Sequence, residues 1–451
     1  MNAEASTTEK APFVSGSLAR HVLVMASTGA VGMTAVFLVD LTDLFFLSLL
    51  KNTAVTAAIG YAGTLVLLNI GVAIGSSIAA AVLVARNVGA GDLDRARKLA
   101  SCSLAFGLGL AAMLTVVIVL GADAFLSLLG AQGEAKRLAL VFLWTLSPGY
   151  VLAAGELCCA GILRGLGDAR RAMSLTLVAA VVTLCLDPLL ILVLGMGIQG
   201  AAIATTLGFL ASSSLGFRYL VKAHRCLVPV GTADLRESFR PFWAIAYPAI
   251  LSQLTMPFAN SYLMYLMAGF GNEAVAGFAI VCRLIPVAYA IIFALQGAVG
   301  PIIGQNAGAR EHSRIRKTLD ISLVLSSFYA LCVSSVLFLF SAEIATLFNA
   351  VGRTGEIVVF FCNFIAISWA FVGAQFLANA AFNNLGHPRL SLAFSWGRAS
   401  LGTIPFAFVG ARIGGAEGLL AGNAAGAILF GIAALVTAYV IVGRSASTKG
   451  P

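Results

Sequence analysis

Charge is what this 451-residue chain has least of: 10% of its residues are Asp, Glu, Lys or Arg, against 60% hydrophobic, and the mean hydropathy is +0.97. That is too little polar material to clothe a water-soluble surface of this size, so a soluble globular class is excluded. Histidine (4) and cysteine (8) are sparse as well. His21, His224, His312 and His387 fall at polar breaks. The cysteines are scattered, and adjacent Cys158 and Cys159 lack the CxxC spacing of a metal or redox site, so no metal centre or structural disulfide is expected. No GxxxxGK[ST] phosphate loop occurs, which argues against an intrinsic ATP motor. The lone GxGxxG of Gly195, Gly197 and Gly200 precedes no soluble dinucleotide-binding unit. No nucleophile, base or metal-ligand set converges within the apolar runs. The chain is therefore read as no enzyme, with no catalytic residue and no cofactor.

What is present is a series of apolar runs of roughly 20 residues or more, each long enough to cross a bilayer. Twelve can be counted, at about 22–48, 54–85, 96–121, 136–162, 171–194, 199–222, 239–268, 273–303, 317–341, 355–382, 390–411 and 418–442. The runs are continuously apolar, whereas barrel strands alternate over about ten residues, so the fold class is all-α integral membrane. The 47 glycines fit, because small residues let membrane helices approach closely, as at Gly71/Gly75 and Gly422/Gly426.

Two motifs recur at one offset of 219 residues. RNVGAGDLDRARK, with Asn87, Gly89, Arg95, Arg97 and Lys98, returns as QNAGAREHSRIRK, with Asn306, Gly308, Arg314, Arg316 and Lys317. Leu166, Gly167 and Arg170 return as Leu385, Gly386 and Arg389. The chain is thus a duplication of a six-helix unit. An even number of crossings brings both copies in from the same side, so the lobes are related by a pseudo-twofold along the membrane normal, with a cavity between them. The expected boundaries are a flexible tail at 1–20, a first lobe at 21–223, a linker at 224–238 that tethers the lobes, a second lobe at 239–443 and a tail at 444–451.

The formal net charge of +9 does not call for nucleic acid. With the N-terminus inside, 21 of the 28 Lys and Arg collect on the cytoplasmic side; five (Lys51, Lys136, Arg137, Arg353, Arg412) lie opposite, and Arg283 and Arg398 lie within spans. This positive-inside sorting puts both termini in the cytoplasm, and the expected localisation is that of a multi-pass protein of the bacterial inner membrane. The repeated loop arginines read as topology anchors that touch anionic lipid.

Ionisable groups inside spans cost roughly 2.5 to 3.5 kcal/mol each on insertion scales and call for a reason. Asp40 and Asp43, three residues apart, share a helix face. Asp187 precedes Pro188, whose missing N–H leaves the Leu184 carbonyl without its helical partner. A carboxyl and a carbonyl oxygen then stand within one turn, able to take a proton, a sodium ion or a water. Desolvation and like-charged neighbours favour the neutral acid, so proton exchange is the natural use of such a cluster. Glu156, two turns from Arg164, is expected to snorkel to the surface or pair with it. For Arg283 and Arg398 ion pairs that fix helices are expected. Gln253, Asn260, Tyr265, Gln296 and Arg283 are candidates to line the cavity in the second lobe.

The order of DLFFLSLL from Asp43, LRGLGDAR from Leu163, LDPLLI from Leu186, GIQGAAIATT from Gly197 and GQNAGAR from Gly304 resembles the multidrug and toxic compound extrusion (MATE) transporters over nearly the whole chain. The resemblance implies twelve helices in two six-helix lobes set in a V. It also implies export of organic, chiefly cationic amphipathic compounds in exchange for protons or sodium ions, with Asp43 and Asp187 on the two cation-coupling acids of the first lobe. Their repeat counterparts are uncharged: Phe406 for Asp187, and Leu263 or Tyr262 for Asp43. Thr28 stands where relatives commonly carry proline, and Thr183 where they often present asparagine, which removes an oxygen sodium could use and favours protons. The expected partners are a small-molecule substrate and membrane lipid, with the protein a monomer. A lipid or glycan-precursor flippase of the same architecture is the alternative, but it would need more cations in the cleft than Arg283 and Arg398.

Overall fold

The computed structural model describes residues 11–48 and 53–447, and among them every regular element is helical. In the first half α1 (Leu18–Ser48), α2 (Thr53–Gly89), α3 (Leu93–Leu128) and α4 (Gly133–Leu166) each cross in one piece. The fifth crossing, α5 (Ala169–Asp187), continues into a π-helical turn at Pro188–Val193, and the sixth, α6 (Gly197–Arg218), ends in another at Tyr219–Ala223. In the second half the crossings are broken. α7 (Thr232–Gln253) runs into α8 (Thr255–Ala268), and α9 (Asn272–Ala288) into α10 (Ala290–Gly308). α11 (His312–Leu339) crosses alone, and the short α12 (Ser341–Leu347) lies between crossings. α13 (Gly352–Phe360) leads through a π turn and a 3₁₀ turn into α14 (Trp369–Asn384), and α15 (Pro388–Gly397) leads through a π turn at Arg398–Gly402 into α16 (Ile404–Ser447). α16 doubles back at Gly414 (φ −131°) and Gly415 (φ +60°), a turn only glycine makes without strain, and so supplies the end of the eleventh crossing and all of the twelfth.

These crossings form the two six-helix lobes of a V. Glycines set the packing within each: Gly161 and Gly165 of α4 lie against the Ser77 and Ala81 carbonyls of α2, and Gly422 and Gly426 bring the last crossing onto the backbone of Phe406 and Gly402. Gly71 and Gly75 do something else. They let α2 meet Gln253 and Ile250 of α7, across the lobe boundary.

The lobes touch on the face that carries both described ends, here called the terminal face, and the contact obeys the repeat. Arg86 Nε donates to the Asn384 carbonyl (2.7 Å), and Gln305 Nε2 donates to the Gly165 carbonyl (2.9 Å). Donor and acceptor of the second bond each stand 219 residues from their counterparts in the first. Gly89 likewise packs on the Gln305 carbonyl and Gly308 on the Arg86 carbonyl. The QNAGAR-type motif is therefore a two-fold clasp as well as a topology signal. Gly167 (φ +95°) and Gly386 (φ +93°), also one repeat apart, make the left-handed turns that end α4 and follow α14. On the opposite side α8 packs on α9 and α16 of its own lobe, and Gly60 and Gly63 of α2 face open space. The cleft thus opens away from the terminal face.

Two expected boundaries differ. Residues 1–10 of the predicted tail and 448–451 lie outside the described residues, as does Lys51. Residues 11–17, however, form a strap folded under the clasp. Phe13 is buried, its N–H donates to Gln305 Oε1 (3.0 Å), and its carbonyl accepts from Asn306 Nδ2 (3.1 Å) and Arg314 Nη2 (3.0 Å). Pro12 meanwhile abuts Gly167 of the first lobe. Arg314, read as an anchor, also donates to the carbonyls of Ser15 and Gly16. The expected linker at 224–238 is helical from Thr232 and pinned to the first lobe: Val228 N–H donates to Ser101 Oγ (2.9 Å), and Asp234 pairs with Lys98 (3.1 Å).

Candidate functional site

Asp43 and Asp187 come together. α1 lies along α5, and the two carboxyl groups stand within hydrogen-bonding reach of one another. Asp187 has no solvent exposure. Both of its carboxyl oxygens, and Oδ1 of Asp43, are buried with no donor from any other described group. Two adjacent ionised carboxylates without a donor would carry a large desolvation and repulsion cost, so the pair demands a proton or a small cation between them. Among the described residues no three His, Cys, Asp or Glu are arranged to hold a metal ion.

The local sequence explains the placement of Asp187. Pro188 cannot donate, and the hydrogen-bond ladder shifts here from i→i+4 to i→i+5: Leu194 N–H reaches the Leu189 carbonyl (2.9 Å). Leu184, one turn before Pro188, is half-buried, and Thr183 is buried with its hydroxyl against Gly208 of α6. Asp40 stands one turn nearer the terminal face, is more exposed than Asp43, and is close enough to feel its charge.

The second lobe has no such pair. Leu263 is buried, the Tyr262 hydroxyl donates to the Ile404 carbonyl (3.4 Å), and Phe406 is half-buried. Of the expected lining residues, Gln253 lies where α7 meets Gly71, Gln296 is half-buried, and Asn260, Tyr265 (75% exposed) and Arg283 are exposed.

Three expectations are corrected. Glu156 does not snorkel: it is 4% exposed inside the first lobe, within reach of the Ser212 and Thr176 hydroxyls. Nor does it form a salt bridge with Arg164, whose Nη2 donates to Ser77 Oγ (3.3 Å). The lobe gives it hydroxyl partners, which makes reaching the surface unnecessary. Arg283 and Arg398 form no ion pair among the described residues; of the second-lobe acids, Glu356 and Glu417 pair with Arg353 and Asp320 accepts from the Tyr439 hydroxyl. Arg398 Nε is buried without a partner at the π turn of the eleventh crossing.

Sequence reasoning also missed a polar stripe on α14. Gln375, Asn379 and Asn383, spaced i, i+4, i+8, are all buried, and each keeps an unpartnered amide oxygen. Their spacing inside an apolar run was the available signal.

The sequence pattern of the MatE family matches residues 30–189 and 248–409, two stretches in step with the internal repeat. Over 426 residues the chain is 29% identical to a protein of Shewanella oneidensis named FAD transporter, covering 93% of this chain and 94% of that one. It is 23% identical over 408 residues to the multidrug export protein MepA of Staphylococcus aureus, covering 89% of each. Among solved structures, the bent form of the Vibrio cholerae MATE transporter VcmN superposes with a TM-score of 0.89 at 26% identity, over 95% of this chain and 98% of that one.

Proposed function

The chain belongs to the MatE family of transporters, and on that premise we propose that it is a secondary active antiporter, exporting small organic molecules in exchange for a cation, with protons preferred to sodium ions. The names of its relatives, a FAD transporter and a multidrug export protein, support export of organic molecules. The positive-inside sorting of Lys and Arg assigns the terminal face to the cytoplasm. The cleft then opens outward, and the clasp of Arg86 and Gln305 closes the inner side. The protein acts as a monomer, each V holding a complete cleft.

The observation that carries this reading is the donorless carboxyl pair of Asp43 and Asp187 in one lobe. α1 touches both α5 and α10, so a cation bound between the two acids acts on the one helix shared by the site and the lobe boundary. With the outward cleft open, a proton enters and neutralises the pair. When the lobes rock and the inner face opens, the proton leaves, the recharged pair returns outward only with cargo bound, and the next proton binds from the outer side. Cargo moves outward on the same cycle.

Reconstituted vesicles with separately imposed proton and sodium gradients test this. A proton gradient should drive uptake of a fluorescent cation and a sodium gradient should not. Asp187→Asn and Asp43→Asn should abolish gradient-driven uptake at unchanged thermal stability. Undiminished proton-driven uptake in Asp187→Asn would refute the site.

A further inference from the structure

We infer that Arg283 is the cleft's recognition group for an anionic substituent, phosphate or carboxylate, on the exported molecule. This rests on the export reading above and departs from the cationic cargo that the sequence suggests.

Arg283 is exposed on the outer part of the second-lobe crossing that meets the first lobe. On the α9–α10 crossing, Gln305 and Ala294 both touch the first lobe, the former at Gly89 and the latter at Gly29, where a Cβ would lie 3.2 Å from the Ala294 Cβ. They are eleven residues apart, about three turns, and so share a stripe. Arg283 is eleven residues before Ala294 on the same crossing, with exposed Val287 and Ala276 on its helix. The break between α9 and α10 is a single residue, Tyr289, whose N–H closes α9 on the Ile285 carbonyl and whose carbonyl opens α10 by accepting from Ile292 and Phe293, so the two helices follow one another along one crossing. α9 also touches α1 directly.

The same count along α1 reaches Asp40, eleven residues beyond Gly29 and exposed. Asp40 and Arg283 therefore stand about 16 Å beyond the Gly29–Ala294 contact, at equal height on opposite walls. The first-lobe wall is acidic, and the second-lobe wall carries an exposed guanidinium with no hydrogen bond or ion pair among the described residues. A cation at this depth is costly unless it faces water and a partner. The planar fork of arginine suits the two oxygens of a phosphate or carboxylate, and exposed Asn260 and Tyr265 on neighbouring α8 offer further polar and aromatic surface.

The test is uptake into reconstituted vesicles of FAD, of riboflavin, which shares the ring system without the phosphates, and of ethidium, by wild type, Arg283→Ala and Arg283→Lys. The wild type should move FAD. Arg283→Ala should raise the KM for FAD tenfold or more with riboflavin and ethidium within twofold, and Arg283→Lys should recover part of the loss. Wild type that moves ethidium but not FAD overturns the inference and leaves the export reading standing. Wild type that moves none of the probes overturns both. If Arg283→Ala slows every probe equally, Arg283 serves the lobe motion, by pairing with Asp40 for instance, and the inference fails.

Discussion

Substituting Arg86 with alanine should loosen the terminal face. Its Nε–H···O bond to the Asn384 carbonyl is charge-assisted and 2.7 Å long, and such a bond contributes about 1.5–3 kcal/mol. If that contribution exists only while the lobes meet, losing it shifts the closed-to-open ratio by about 10- to 150-fold, at about 1.4 kcal/mol per factor of ten. Gln305→Ala should act in the same direction, since it removes the bond to the Gly165 carbonyl and leaves the Phe13 N–H without its acceptor. Each of these neutral bonds contributes about 0.5–1.5 kcal/mol. Spin labels at exposed Arg170 and His387, in a background cleared of native cysteines, would report the distance across the terminal face by double electron–electron resonance. A new, longer population should appear in Arg86→Ala and grow in the double variant. A distribution unchanged in both, with transport also unchanged, would show that the clasp does not hold the lobes and that the repeat symmetry of its bonds has no energetic meaning.

Gly75→Leu should pry the same boundary apart from the middle, because even its Cβ would fall 2.7 Å from the Ile250 nitrogen, a backbone atom that cannot swing away. A loss of about 1–3 kcal/mol is expected from such overpacking, read as a lower melting temperature and a broadened label distance, with Gly63→Leu, which faces open space, as the silent control. Asp168, at the cytoplasmic start of α5, gives a pH prediction. Burial alone would push its carboxyl up, but the hydrogen bond from His224, the Arg171 N–H and the Arg171 guanidinium together hold it below its ordinary 3.8. A depressed carboxyl contributes stability that is fully present above pH 3.8 and lost as pH falls through its lower folded value. Melting temperature should therefore fall more steeply on acidification in wild type than in Asp168→Asn, which keeps the helix cap without the charge. Parallel curves would exclude the linkage.

The duplication, the twelve crossings and the individual acids Asp43 and Asp187 were legible in the sequence because each leaves a one-dimensional trace: a fixed offset, an apolar run, an acid where hydrocarbon is expected; that these two acids belong together came only from the family resemblance. The clasp was half legible. The 219-residue offset marked Gly89 and Gly308, but nothing in a linear pattern says that a glycine near a loop packs on a carbonyl of the other lobe. The strap at Phe13 was missed because a polar segment with little apolar content reads as tail; its order comes from Gln305, Asn306 and Arg314, some 300 residues away. Glu156 was misread since a long side chain near a helix end suggests snorkelling, and only the fold brings the Ser212 and Thr176 hydroxyls to it. The missing ion pairs of Arg283 and Arg398 were equally hidden, because pairing depends on which helix faces which.

What links the cation site to the clasp is the stiffness of α1. It runs unbroken from Leu18 to Ser48, and at Thr28, the place of the relatives' proline, the hydroxyl turns back on the Val24 carbonyl (2.7 Å) without removing a backbone donor. A helix that keeps its ladder there has no proline hinge. Asp43 and Gly29 are fourteen residues apart on this helix, about 21 Å, so a shift at the carboxyl pair arrives at Ala294 of α10 as a displacement of the whole helix. The first lobe is interrupted by π turns at Pro188–Val193 and Tyr219–Ala223, but the second-lobe crossings break outright at Leu254 and Tyr289 as well as turning at Arg398, so more of the compliance lies there. The geometry therefore favours a cycle in which the first lobe and α1 turn as one body over a second lobe that yields at its breaks. The cation is read by the rigid half, and the lobe that carries Arg283 adapts around the cargo.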